Sequence, residues 1–480
     1  MDRIFQDSGS NSGTEFVLAF PHGLDTNVLR LYLSTSVNES FSVHIETPLL
    51  SHTNINVTVS GGAETVVEIP SDLTVLGTSK SDKSIFVQAE NFIALFASNM
   101  QQPTSGDSFI VYPVEVLSTE YVSVNLKSKN VEYKSTSAIV AVKDHTIVHL
   151  SLPDKSIVKY NKTYTFGSQF SVNLKKYEIF QFSSEDDLSG TTILSNYPIA
   201  VISGHQLGNP SVSSKGTRDM ILEMLIPWTY WSTRYIAISN PVFYDGDGEL
   251  IRIFTLCENA TVIIDKSGVH SQINYAAGST SGDPRLMLPA PVNAWLNEYT
   301  FSTPGMPTSG SFNHGLVLVA FGKAIDTITL DNESLEPSLV WFEIAGTNLN
   351  YTVLPLSQGG HTLKCIGNLK CWGYVFGINV REEYGTSIGR SFTKKRRTDA
   401  NVLEKAIIEL DLIDDQMLLT TPVFSYMARS RTECSKMCFL YSCSFLSFRS
   451  TDGLCYLYTE DQTCSPKKVS SDFRRYHLRK

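Results

Sequence analysis

"PVEVLSTEY" (Pro113–Tyr121) and "PWTYWSTRY" (Pro227–Tyr235) share proline, Ser-Thr and tyrosine at an offset of 114 residues. The flanks agree. "IALFASN" (Ile93–Asn99) parallels "IAVISGH" (Ile199–His205) upstream, and "AVKDHTIV" (Ala141–Val148) parallels "LCENATVI" (Leu256–Ile263) downstream, at offsets of 106 and 115. A third, fainter copy is read through "VLVAFGK" (Val317–Lys323). Ordered matches at nearly one offset predict units of about 110 residues, the size of a seven- to nine-stranded sandwich.

Within and around these copies the chain alternates polar and apolar residues over short runs, "VLRLYLS", "INVTV", "TVVEI" and "IRIFTL", separated by Gly, Asn, Asp, Ser and Pro. That is strand punctuation. The segment "MILEMLI" at 220–226 reads as at most two helical turns stopped by Pro227. The fold class is therefore mainly β, with tandem β-sandwich-like repeats and a small disulfide-stapled α+β module after them. Residues 1–390 form the β region, 391–402 a basic polar linker and 403–480 the module.

Charge is divided the same way. Residues 394–480 hold 15 Lys/Arg and 11 Asp/Glu, which leaves 24 and 37 for residues 1–393, or net charges of +4 and −13. An acidic body disfavours nucleic acid, whose phosphates need a basic stripe. No apolar run reaches the roughly 18 residues of a bilayer-spanning helix. Six Asn-x-Ser/Thr sites, at Asn38, Asn56, Asn161, Asn259, Asn332 and Asn350, and eight cysteines suit an oxidising, secretory compartment. "MDRIFQDSGSNSG" lacks the apolar stretch of a signal peptide, so secretion implies a natural chain that begins further upstream, or a partial or processed form.

Catalytic and metal-binding patterns are sparse. "GTSIG" (Gly385–Gly389) fits the G-x-S-x-G nucleophile elbow, but "RSFTKKRR" after it has no apolar face to pack the required helix, so a turn at a domain edge is expected. "DGDGE" (Asp245–Glu249) opens like a calcium loop, yet Leu250 and Leu256 stand where Gly and Glu belong; it reads as a hairpin turn. His145 and His149, four apart on an expected strand, would share a face without a third ligand. No cofactor and no metal are predicted.

The C-terminal part starts after "SFTKKRRTDAN", a linker whose Lys394–Arg397 run is also a candidate processing site. Ser430 and Glu433 form a capping box, which places Cys434 and Cys438 one turn apart on a helix. "SCSFLSF" and "LCYLYTE" follow as strands carrying Cys443 and Cys455. A segment of some 80 residues buries little core, so it needs disulfide staples; zinc is the rival, weakened by the lack of C-x2-C pairs. At the end, "FRRYHLRK" sets Arg474, Arg475, Arg479 and Lys480 beside aromatic residues, either as an anionic-glycan site or as an edge strand defended by charge.

Two resemblances bear on this. The pattern C-x3-C-x4-C-x-F followed by "GLCYL" resembles the PAN/apple family over residues 400–480, which implies Cys434 bonded to Cys455 and Cys438 to Cys443. Residues 10–390 resemble the N-terminal domain of the IgG Fc-binding protein family through "GTEFVLAF" (13–20), "DLSGTTILSNYPIAVISGH" (187–205) and "MLIPWTYWSTRYI" (224–236). Where that family commonly has Cys after "SGH" and Cys-x-His before "LP", this chain has Gln206, Leu207 and "RDMILEM", so one family disulfide is missing. The resemblances imply an extracellular binding and adhesion protein without enzymatic chemistry, recognising protein or glycan partners in mucus, matrix or at a cell surface. The alternative is a secreted hydrolase or glycan-active enzyme.

Two more cysteines flank "IGNLK" symmetrically: a hairpin there would hold Cys365 and Cys371 about 4.5 to 5.5 Å apart at Cα and pair them. Cys257 and Cys464 are left over. Cys257 lies on an apolar strand, whereas Cys464 sits in the polar turn "DQTCSPKK", open to an intermolecular bond. A Cys464-linked homodimer, a free Cys464 thiol and a Cys257–Cys464 bond are the alternatives.

Overall fold

The computed structural model describes residues 10–392 except 24–26, 102–104, 128–131, 154, 209–217, 239–251, 256–261, 266–285, 306–310, 345, 366–368 and 380–382. Beyond 392 it describes the backbone of six strands between Ala406 and His477. The chain is mainly β, and its unit is a seven-stranded wrap. In the first unit the strand Ile85–Gln101 runs through two half-sheets. Its first half lies between Ser12–Leu18 and Phe41–Glu46, the latter followed outward by Asn54–Val59. Its second half lies between Ser105–Val111 and Asn27–Ser34, with Thr65–Ile69 outermost. Alternation of buried and exposed residues along Phe41–Glu46 and Thr65–Ile69 gives each half-sheet one apolar face.

The same wrap recurs with Thr192–Gly208 as the bent strand. It pairs with Ser118–Val122 and Thr146–Ser151 in its first half, and with Ser135–Ala141 and Asp219–Met224 in its second. In the last unit the bent strand is broken in two. Gly359–Cys365 pairs with Glu298–Thr303 and Ile328–Leu330, and Cys371–Ile378 pairs with Asn313–Phe321 and Glu383–Ser387. All of these pairings are antiparallel. One short strand of the first unit, Ser79–Ser81, crosses over to extend the second through Ile179–Ser184.

Each bend has a local cause. Opposite the first strand of the unit, the long strand makes an excursion: Gly13 faces Ile93 while Glu15 faces Gln88, and Ser118 faces Ile199 while Glu120 faces Leu194. In the last unit Leu296 bridges to Cys371 and Glu298 faces Lys364. The repeated tyrosine fastens this bulge. Tyr121 Oη donates to the Ile199 carbonyl at 2.7 Å and accepts from Ser118 N at 3.1 Å. Tyr299 Oη donates to the Cys371 carbonyl and accepts from Leu296 N, both at 2.7 Å. Tyr235 Oη accepts from Ser232 N at 3.0 Å. The repeated proline precedes a single 3₁₀ turn at Val114–Val116, Trp228–Tyr230 and Val292–Ala294, where its missing N–H costs nothing. Trp231 and Trp295 close that turn by donating to the Ile226 and Ala290 carbonyls, each at 3.2 Å.

The copy after Pro227–Tyr235 is therefore "PVNAWLNEY" (Pro291–Tyr299), not "VLVAFGK". Val317–Lys323 continues the second strand of its unit, whereas Ile93–Asn99 and Ile199–His205 lie on bent strands. Counting "GTEF" at 13–16, units open at Gly13, Ser118, Ser232 and Leu296, and the starts lie 105, 114 and 64 residues apart. The third unit is described only as the strands Arg234–Ala237, Arg252–Phe254 and Val262–Asp265. "MILEMLI" is strand rather than helix: Asp219–Met224 is buried along its whole length, and a chain buried on both faces has no reason to alternate. Cys365 and Cys371 are bonded, with Cα atoms 6.3 Å apart. They do not face each other across a hairpin, because their strands belong to different half-sheets.

Candidate functional site

Ser387, the one nucleophile suggested by a motif, ends the strand Glu383–Ser387 and is 2% exposed. The Trp372 indole donates to its Oγ at 3.1 Å and Gly389 N at 3.2 Å. Two N–H donors on the hydroxyl oxygen occupy the lone pairs a nucleophile needs, and residues 388–392 form no helix. The motif lies in the packed interior, not at a turn on a domain edge. His145 sits in a turn with φ of 57° and His149 on the strand Thr146–Ser151, bonded to Ser171 Oγ at 2.7 Å, so the two do not share a face. Among the described residues no group of three His, Cys, Asp or Glu side chains can hold a metal. "DGDGE" and the Lys394–Arg397 run lie outside the described residues.

The polar chemistry of the body is concentrated where units meet. Ser105–Val111, Asp219–Met224 and Glu383–Ser387 are edge strands of three different units, and all three are buried. Ladder pairing stops at an edge, so side chains satisfy the exposed donors. Asp219 accepts from Gly106 N at 2.7 Å and Ser105 Oγ at 2.8 Å through Oδ1, and from Glu383 N at 3.5 Å through Oδ2. Asp107 Oδ2 accepts from Leu222 N at 2.8 Å. Glu223 lies in the same junction, 1% exposed; burial, and then the charge of Asp107, push its carboxyl well above the ordinary range. Arg390, 2% exposed, donates to the Tyr230 carbonyl at 2.7 Å and lies over Phe392, whose ring meets Tyr112 and Tyr230 edge-on.

A second seam joins the first and last units. Tyr32 Oη donates to the Gly305 carbonyl at 3.3 Å, and Ser34 Oγ meets Ser302 Oγ at 2.8 Å. Burial pushes Glu64 there up to about 7. Burial works against a charged His361, but Asp331 at 2.8 Å and the Ser357 carbonyl outweigh it and raise the imidazole above its usual value. These contacts fasten the units to one another. None of these contacts was legible in the sequence, although a search for the Pro-x7-Tyr spacing alone would have found the copy at Pro291–Tyr299.

Of the sequons, Asn38, Asn56, Asn161 and Asn332 are exposed, Asn350 is half-buried on Leu349–Leu356, and Asn259 lies outside the described residues. Asn161 and Asn332 occupy turns with φ of 55° and 66°. The strands Ser425–Met427, Phe445–Arg449, Leu454–Tyr458 and Arg474–His477 form one antiparallel sheet with Arg474–His477 at its edge. Arg474 and Arg475 thus lie on that edge and Cys455 on an inner strand, while Cys257, Cys434, Cys438, Cys443, Cys464, Arg479, Lys480 and the expected helix lie outside the described residues.

The IgGFc binding protein family matches residues 107–274 and 267–377. The human IgGFc-binding protein is 24% identical over 418 residues, which cover 78% of this chain and 7% of the human protein. The chain therefore spans a small part of the length of that relative. No solved structure matches.

Proposed function

This chain belongs to the IgGFc binding protein family, and from that premise we propose that it is an extracellular binding and adhesion protein with no chemistry of its own. The family match across the repeated units carries the reading. The body is a scaffold: edge strands fastened by Asp107 and Asp219 fix the outer faces, and four exposed sequons fit a glycosylated, secreted surface. The Cys365–Cys371 bond fits the same oxidising compartment. The C-terminal segment is a PAN/apple-like module stapled by Cys434–Cys455 and Cys438–Cys443. Its basic edge at Arg474, Arg475, Arg479 and Lys480 is offered to anionic glycans, and the body is offered to protein partners.

Affinity capture from secretions of the source, read by mass spectrometry, tests the reading, with immobilised immunoglobulin Fc as a separate arm because the human relative is named for it. A partner retained by the full chain and lost on competition with soluble chain supports binding; hydrolysis of a presented ester or glycan by the chain overturns the non-enzymatic assignment. Retention on heparin should fall when the four basic residues are changed to Ala. Unchanged retention sinks the glycan role.

A further inference from the structure

The third unit is too short to be complete. Its start, Ser232, is 64 residues from the next, whereas the first two units have 105 and 114. In the first two units the bent strand lies between the first and third strands in one half-sheet and against the second strand in the other. The corresponding places in the third unit are filled from beyond the basic linker. Ala406–Leu410 lies between Arg234–Ala237 and Val262–Asp265, with Ile407 opposite both Arg234 and Ile263. Leu418–Thr420 then pairs with Arg252–Phe254, the second strand. Among the described residues the third unit shows no bent strand of its own, and both halves of one are supplied in the right order. The direction alone differs: the donor runs parallel to its neighbours, whereas the resident bent strands run antiparallel.

We infer that the third unit is a strand-acceptor site, an open sandwich completed by strand addition, and that its occupants are the strands Ala406–Leu410 and Leu418–Thr420 of the same chain. Strand addition works through backbone hydrogen bonds, and a sheet that lacks an inner strand leaves unpaired donors and acceptors on both sides of the gap. Parallel ladders are only slightly weaker per residue than antiparallel ones, so the reversed direction still leaves a paired donor. One consequence concerns Lys394–Arg397: a cut there leaves the C-terminal part attached without a covalent bond.

The test uses the full chain in a Cys464→Ser background, so that no disulfide through that residue links the parts, with a specific protease site inserted between Thr398 and Asp399. After cutting, both pieces should elute together at the size of the uncut 53.3 kDa chain. Ile408→Pro removes an N–H from a strand with neighbours on both sides, and after the same cut its pieces should separate. Hydrogen exchange supplies the second readout: in uncut Ile408→Pro, amides of 234–237 and 262–265 should exchange at least tenfold faster while those of 192–208 keep their protection. Separation of the parent pieces overturns the proposal, as does co-elution of the variant pieces or unchanged exchange at 234–237. An uncut chain that elutes as a dimer, and as a monomer with Ile408→Pro, places the donor in a second copy and overturns the assignment within one chain.

Discussion

Replacing Tyr121 with Phe isolates the device that fastens the bend of the second unit. The ring stays: it is fully buried in the core of that unit. Only the hydroxyl goes, and with it the bond to the Ile199 carbonyl at 2.7 Å and the bond from Ser118 N at 3.1 Å. Two buried polar groups left unsatisfied cost about 1–3 kcal/mol each, and recovery of the hydroxyl's own desolvation offsets part of that, so the loss should be about 2–3 kcal/mol. Tyr235→Phe serves as the internal comparison. Its hydroxyl takes Ser232 N at 3.0 Å and the side chain is only half-buried, which predicts a loss of about 1 kcal/mol. Urea unfolding followed by fluorescence should show the midpoint of Tyr121→Phe lowered with the slope unchanged. A loss below about 0.5 kcal/mol, or one no larger than that of Tyr235→Phe, would refute the view that this hydroxyl holds the bulge.

Glu223 gives a pH test. Its folded pKa is raised by burial and by Asp107, so folding takes up a proton, and stability falls as pH rises from the unfolded value near 4.3 toward the folded one. Glu223→Gln should match the parent near pH 5 and exceed it at pH 8; a parallel pair of pH profiles would contradict this. Ser387→Ala should leave any esterase background unchanged and, by stranding the Trp372 N–H, lower stability by about 1–2 kcal/mol; a serine-probe adduct on Ser387 would refute the closed geometry. Cys464 is expected to join two chains. Non-reducing electrophoresis should show a dimer band lost in Cys464→Ser, and a monomer whose peptide map links Cys257 to Cys464 would end the idea.

The sequence by itself determined what is local and periodic. Alternation marked strands such as Asn27–Ser34 and Thr65–Ile69, and the Pro and Tyr shared by Pro113–Tyr121 and Pro227–Tyr235 marked two of the four unit starts because one turn and one hydroxyl impose them. Wherever a residue's role depends on what lies across a distant contact, the sequence was silent or misleading. "MILEMLI" has helical composition and is a strand because an edge of another unit covers its second face. Asp107 and Asp219 look like any surface acid until three edge strands meet around them. The 64-residue spacing between Ser232 and Leu296 lies in the sequence. Only the pairing of Ala406–Leu410 with strands 144 and 173 positions earlier gave it meaning, because strand addition is written in backbone hydrogen bonds, which any extended segment can make and no residue pattern specifies.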